Sequence, residues 1–355
     1  MLSRSLVPHA GYHWDGVTDR FFEGWYFRVA LPELGDGFAF MYSIQDPKGD
    51  RVNSGGAVQI LAPGDRYLCR TFPDTRKFWA TRYELGLGHW RRTGVKGRPR
   101  YLDPEEFENS IEEGYQATLT YHRGRVHDPV TGNICQWSYS VEPIYTWGSP
   151  RRPPKATAGL LSYLPIADPG WQILLASAVA TGYIDWMGDR YEFHRVPFYS
   201  EKNWGYSFPD RWFWINGNAF PDHPDLTITA VGSTRKLFGF TEEVGIIGIH
   251  YLDRFYEFVP WNSRVCWRVD TWGSWEMSAE NEGYRVYLVG KTEHPPASVR
   301  VPTENGLTFR CLDTLRGDLY LKLEDYCGGL VLEGRTSLAG LEIGGIWPDR
   351  WRNDG

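Results

Sequence analysis

The sequence predicts an all-β protein, and three observations carry that prediction. First, 17 Trp, 21 Tyr and 18 Phe make 16% of the chain aromatic, and such side chains favour the pleated, half-buried surfaces of sheets. Second, 39 Gly and 23 Pro are spread along the chain, punctuating short elements instead of forming one disordered tract. Third, heptads and long helical periods are absent. With 355 residues the chain is long for a single core, so two domains are expected.

The elements follow in order. Residues 8–16, Pro-His-Ala-Gly-Tyr-His-Trp-Asp-Gly, form a loop rich in polar and aromatic tips. His9 and His13 stand four apart, a metal spacing on a helix, but Pro8 and Gly11 argue against a helix. Residues 20–29, Arg-Phe-Phe-Glu-Gly-Trp-Tyr-Phe-Arg-Val, read as a strand. Its one face carries Phe22, Gly24, Tyr26 and Arg28, and its other face Phe21, Glu23, Trp25, Phe27 and Val29. A turn at 32–37 returns the chain into a strand over 38–45. Further strands are expected at 57–61, 77–85, 114–121 and 136–141, with a helical turn or two in the acidic stretch 103–113. The Pro-rich segment 149–155 has linker composition but reads as a surface loop, because two more strands complete the first half. These are the apolar run 171–181 and a hairpin over 182–193 turning at Met187-Gly-Asp189. The domains are therefore placed at 1–200 and 201–355.

The second half opens with Tyr199-Ser-Glu-Lys-Asn-Trp-Gly205, then Arg211-Trp-Phe-Trp-Ile-Asn-Gly-Asn218. In the latter, Trp212, Trp214, Asn216 and Asn218 share one strand face, which would meet a ring system at one end and polar atoms at the other. Strands are expected at 226–231, 244–251, 255–259, 265–270, 275–279, 284–289, 319–323, 330–333 and 341–343. No fixed-period repeat relates the halves, which excludes a solenoid or propeller.

A net charge of −6 gives no nucleic-acid footprint. Five Cys without C-x-x-C spacing speak against a disulfide framework or a zinc site. The longest apolar run, 173–180, is too short to span a bilayer, and no signal or transit peptide is expected. The serine elbow, P-loop, dinucleotide fingerprint, H-E-x-x-H and EF-hand motifs are missing. What remains are aromatic cavities with isolated carboxylates, suited to an apolar ligand or to cofactor-free acid–base work.

Glu23 and Glu201 are the carboxylates with the densest aromatic surroundings. A carboxylate so placed must be paired, hydrogen-bonded or kept neutral, and a neutral one donates a proton near pH 7. The plainer readings are a salt bridge of Glu23 with Arg20 or Arg28, and of Glu201 with Lys202 or solvent.

Taken together, residues 8–16, 20–28, 40–43, 67–69, 78–80, 200–205, 211–214, 256–262 and 342–345 resemble the tocopherol cyclases of plants and cyanobacteria, with likeness from about 8 to 346. Glu23-Gly-Trp-Tyr-Phe27 and Glu201-Lys-Asn-Trp-Gly205 are also similar to a lipocalin-like superfamily that includes carotenoid hydratases. The resemblance implies two lipocalin-like antiparallel β-barrels in tandem. It also implies ring closure of 2-methyl-6-phytyl- or 2,3-dimethyl-5-phytyl-1,4-benzoquinol to a chromanol, without metal or cofactor. The prenyl alkene needs a neutral acid in a dry pocket. The expected acid is Glu201 or Glu23, with Asn203 and Tyr26 orienting the quinol. Trp25, Trp204, Trp212 and Trp214 are expected to line the cavity, and His13 and Asp15 form a reserve pair. A quinol carrier without catalysis and a hydratase are the alternatives. Peripheral membrane contact is expected through loops including Trp347 to Trp351, on the cytoplasmic face of a thylakoid or inner membrane.

Overall fold

The structure is a computed structural model describing residues 7–92, 98–163, 169–237, 240–270, 272–347 and 350–353. Nearly every element is a strand. The first eleven are β1 (Phe22–Leu31), β2 (Asp36–Gln45), β3 (Gly55–Ala62), β4 (Arg66–Phe72), β5 (Phe78–Ala80) and β6 (Gly86–Arg92), then β7 (Ile111–Thr118), β8 (Tyr121–His127), β9 (Ile134–Tyr145), β10 (Gly170–Trp186) and β11 (Asp189–Gly205). A short helix, Pro104–Ser110, is capped by the Asp103 side chain, within the acidic stretch where a turn or two was expected. The second set is β12 (Arg211–Gly217), β13 (Thr227–Leu237), β14 (Phe240–Tyr251), β15 (Arg254–Phe258) and β16 (Arg264–Asp270). It continues with β17 (Ser274–Glu280), β18 (Tyr284–Lys291), β19 (Ala297–Thr303), β20 (Gly306–Asp325), β21 (Leu330–Gly345) and β22 (Arg350–Asn353).

Each set forms one antiparallel sheet, curled around its own core. In the first, the order is β4-β3-β2-β1-β11-β10-β9-β8-β7-β6-β5; in the second it is β15-β14-β13-β12-β21-β20-β18-β17-β16-β22, with β19 attached to β20. The plan repeats: the opening strand of each sheet pairs with a late, long strand, β1 with β11 and β12 with β21. The chain crosses between sheets over 206–210, so β11 runs past the division placed after residue 200 and belongs to the first sheet.

Alternation along β1 sorts its two faces as the sequence implied. Trp25, Phe27 and Val29 enter the first core with Phe40, Tyr42 and Trp137, whereas Tyr26 packs edge-on against Trp214 of the other sheet. Ala339, Leu341 and Ile343 of β21 likewise fill the second core with Phe213 and Ile215 of β12. Rings and branched side chains therefore occupy the inside of both curled sheets. The faces turned the other way pack on each other, and a third cluster joins Ile173 and Tyr199 of the first sheet to Trp214 and Ile246 of the second.

One buried cation ties the sheets together. Arg28 donates through Nη1 to Asn216 Oδ1 at 3.1 Å and Asn218 Oδ1 at 3.2 Å, and through Nη2 to the carbonyls of Leu315 and Leu338. The two asparagines expected to meet a ligand's polar atoms instead receive this guanidinium. Several strand assignments also differ: β4, β6, β8, β19 and β22 were not expected, and the strands expected at 330–333 and 341–343 are both part of β21. The segment 77–85 holds only the three residues of β5 before a turn. The long β20 begins at Gly306, thirteen residues before the strand expected at 319.

Candidate active site

The outer faces of the two sheets enclose a mainly apolar cavity of about 200 Å³. Its geometry follows from register. In the first sheet, Tyr26 of β1 lies opposite Glu201 of β11, and Gly24 opposite Asn203. In the second, Trp214 of β12 lies opposite Glu342 of β21. Because the two sheets share one strand plan, Glu201 and Glu342 hold corresponding positions, each across the ladder from an aromatic residue of the opening strand. All of these residues line the cavity.

Glu201 is the best-defined acid. Its Oε2 accepts from Tyr199 Oη at 2.5 Å and from Trp214 Nε1 at 3.1 Å. An oxygen accepting two hydrogen bonds is a poor place for the acidic proton, which therefore belongs on Oε1. Burial raises the Glu201 pKa, the nearby Glu342 carboxyl adds to the rise, and the Tyr199, Trp171 and Trp214 donors oppose it; the outcome is about 7. The group can thus be neutral and still surrender a proton near neutrality.

Glu342 sits in a slot cut by two glycines. A Cβ on Gly344 would lie 2.0 Å from the Trp212 ring, and one on Gly340 would lie 2.6 Å from the Trp214 ring. Both indoles therefore lie across β21 on either side of the carboxyl, and Trp212 Nε1 donates to Glu342 Oε1. Directly across the next ladder stands Asp313 of β20. It is fully buried, and neither of its carboxyl oxygens has a well-formed hydrogen bond. Burial first, and then the facing Glu342, push Asp313 well above the usual carboxylate range; burial raises Glu342 as well. Two acids opposed in a dry ladder cannot both ionise, so this pair keeps at least one proton.

Six of the residues expected at the site border the cavity: Glu201, Asn203, Tyr26, Trp25, Trp212 and Trp214. Trp25 does so while its ring packs among Tyr12 and Phe78. The Tyr26 hydroxyl is buried without a hydrogen-bond partner, and burial, with Asp313 nearby, keeps it firmly protonated.

Glu23 sits in a buried ion pair, away from the cavity wall. It is 0% exposed and paired with Lys202, also 0% exposed, and it accepts from the His13 backbone amide at 2.9 Å. Burial alone would raise its pKa, but the Lys202 ammonium and the His13 ring outweigh burial and hold it below the usual range. Its partner is the lysine expected to pair with Glu201. Trp204 leaves the cavity wall and stacks on His13, centroids 3.9 Å apart. His13 likewise is no part of the wall, and it does not pair with Asp15. Asp15 is exposed and closes a turn on Val17 and Thr18. Trp347 is no free anchor, since it packs against the second core and donates to Gly344 O; the side chain of Trp351 lies outside the described residues.

Sequence reasoning missed Glu342 and Asp313. Their strands alternate, Leu341-Glu342-Ile343 and Leu312-Asp313-Thr314, as a half-exposed sheet does. The missing information was that the outward face is covered by a second sheet. The glycines flanking Glu342 at 340 and 344 were the available signal, because glycines spaced by four on one strand face make room for overlying rings.

Comparison with known proteins bears on the family of the chain. The Tocopherol cyclase-like family profile matches residues 19–345. A probable chloroplastic tocopherol cyclase of Oryza sativa subsp. japonica is 39% identical over 98% of this chain and 80% of its own. The chloroplastic tocopherol cyclase of Zea mays matches at 39% over the same shares. Among solved structures, CghA superposes with a TM-score of 0.50 at 9% identity, over 94% of this chain and 90% of that one, a likeness of fold alone. Among the described residues no helix is long and apolar enough to cross a membrane. With its family profile spanning both sheets and relatives matched nearly end to end, the chain belongs to the tocopherol cyclase-like family.

Proposed function

We propose that the cavity between the sheets closes a prenylated benzoquinol, a 2-methyl-6-phytyl or 2,3-dimethyl-5-phytyl species, into a chromanol, with Glu201 as the proton donor. The observation that carries the reading is a buried carboxyl with a pKa of about 7 on the wall of a mostly apolar cavity. An alkene is a very weak base, so its protonation needs a neutral acid, close positioning and exclusion of water. Glu201 Oε1 gives its proton to the less substituted alkene carbon, leaving a tertiary cation. The faces of Trp214, Trp171 and Tyr26 surround that centre, each contact worth about 0.5–2 kcal/mol. The unpartnered Tyr26 hydroxyl and Asn203 hold the quinol oxygens. One hydroxyl oxygen then bonds to the cation and loses its proton. Atoms balance without any co-reactant, because substrate and product are isomers. A substrate with a phytyl tail partitions into bilayers, so the enzyme works as a peripheral membrane protein. Exposed Leu160, Tyr163 and Trp261, on or against the segment that carries the wall residues Ala158 and Ser162, would meet that membrane.

The test is Glu201→Gln, which keeps the size and the Tyr199 and Trp214 contacts but removes the acidic proton. Chromanol formation should fall about 10²- to 10⁴-fold with quinol binding retained. Full activity would overturn the assignment. Product analysis separates the readings: chromanol marks a cyclase, a tertiary alcohol a hydratase, and unchanged bound quinol a carrier.

A further inference from the structure

The motif Pro8-His-Ala-Gly-Tyr-His-Trp14 stands apart from the cavity wall, yet its two histidines build a continuous hydrogen-bonded chain ending on that wall. His13 Nδ1 lies 3.3 Å from Glu23 Oε1 and 3.3 Å from Lys202 Nζ. His13 Nε2 lies 3.1 Å from His9 Nδ1, and His9 Nε2 lies 3.0 Å from Ser162 Oγ. Ser162 borders the cavity. Ring orientations are fixed by packing, with Trp204 stacked on both imidazoles and Tyr163 against His9. His9 is also held at a φ of 55°, a left-handed conformation that a non-glycine residue adopts only when its surroundings impose it.

We propose that Ser162, His9, His13 and Glu23 form a proton relay that takes the quinol hydroxyl proton out of the cavity once the prenyl cation has formed. This rests on the cyclase reading above. The chain has two complete hydrogen-bond directions. In the accepting one, Ser162 donates to His9 Nε2, His9 Nδ1–H donates to His13 Nε2, and His13 Nδ1–H donates to Glu23. As the quinol oxygen bonds to the cation, its proton passes to Ser162 Oγ. Ser162 gives its own to His9, His9 gives one to His13, and His13 gives one to the Glu23 carboxylate. In the reversed direction, Ser162 donates to Gly159 O, 2.7 Å away, and Lys202 donates to His13 Nδ1. After product leaves, the proton returns along the chain to solvent, and Glu201 takes one up. The count of protons is unchanged over a turnover. Burial lowers both histidines from their ordinary value, His9 to about 4, with Lys202 contributing at each. Neutral imidazoles of this kind have one nitrogen free to accept at each link. In this arrangement Ser162 touches substrate, and His9, His13 and Glu23 act through it. The buried Glu23–Lys202 pair is the terminal acceptor, which accounts for a costly ion pair placed beside the first strand.

The competing account is that the Glu201 carboxylate takes the hydroxyl proton back itself. Turnover of phytylbenzoquinol in deuterium oxide by Ser162→Ala and His9→Gln distinguishes the two. The relay predicts chromanol turnover at least about tenfold slower, with KM within twofold. Deuterium should still enter the prenyl tail, now in isomerised alkene or tertiary alcohol, because alkene protonation by Glu201 is intact. Chromanol formed by Ser162→Ala at the wild-type rate would overturn the relay. So would loss of tail labelling together with chromanol in both variants. Ser162 is half-buried in the short 3-10 turn Gly159–Tyr163, so its alanine variant serves if His9→Gln melts early. Failure of the cyclase reading looks different: wild-type protein would give neither chromanol nor tail label.

Discussion

Replacing Lys202 with methionine should destabilise the first sheet more than any single surface change, and the structure sets the size of the effect. Lys202 Nζ donates to Glu23 and, at 2.6 Å, to Gly11 O, and both charged side chains are 0% exposed. Methionine keeps an apolar side chain beside the Trp25 and Trp204 rings over which Nζ lies but strands the Glu23 carboxylate, to which, among the described residues, the His13 amide and ring still donate. Breaking a buried pair from one side costs about 3–5 kcal/mol, whereas replacing both members with neutral groups of similar size is often close to neutral. Lys202→Met and Glu23→Gln should therefore each lose about that much, and the double variant should recover most of it. Guanidinium unfolding followed by tryptophan fluorescence measures the cycle. The acid limb gives an independent check. Glu23 is held below its unfolded value, so its stabilisation is complete above the unfolded pKa of about 4.3. It is lost as pH falls through the lower folded value, and Glu23→Gln should flatten that limb. Single losses under about 1 kcal/mol, or losses that simply add in the double variant, would refute the reasoning.

Two further outcomes are expected. Turnover should decline as pH rises through about 7, because the Glu201 proton being donated is then lost to solvent; the decline approaches tenfold per pH unit, and a flat profile from about pH 6 to 9 would contradict it. Gly344→Ala should place a Cβ 2.0 Å from the Trp212 ring. Expelling that ring should cost about 1–3 kcal/mol and break its bond to Glu342, read as a lower melting temperature and a weaker quinol affinity.

Much of the fold was legible because strands announce themselves by alternation. Phe22–Leu31 shows two faces in the sequence and two faces in the structure, one in the first core and one on the partner sheet. Glu201, Tyr26 and Asn203 could be singled out because they sit among rings in short aromatic motifs. What alternation does not carry is the partner of an outward face. Glu342 and Asp313 look like solvent-facing acids on half-exposed strands until the other sheet covers them. Asn216 and Asn218 look free to meet a ligand until Arg28 arrives from a strand 188 and 190 residues away. The same limit misassigned the ion pair. Lys202 neighbours Glu201 in sequence, but side chains alternate along a strand, so the two point to opposite faces. Lys202 lies instead on the inward side with Glu23, and Glu201 is left neutral on the cavity side.

On the proposed reading, Glu201 rests as a neutral acid on the cavity wall. Infrared titration of the protein, differenced against Glu201→Gln, reads that state directly. A protonated carboxyl band that persists at about pH 6 and disappears with a midpoint of about 7 is the predicted result. A difference spectrum with only carboxylate bands at that pH would contradict the account.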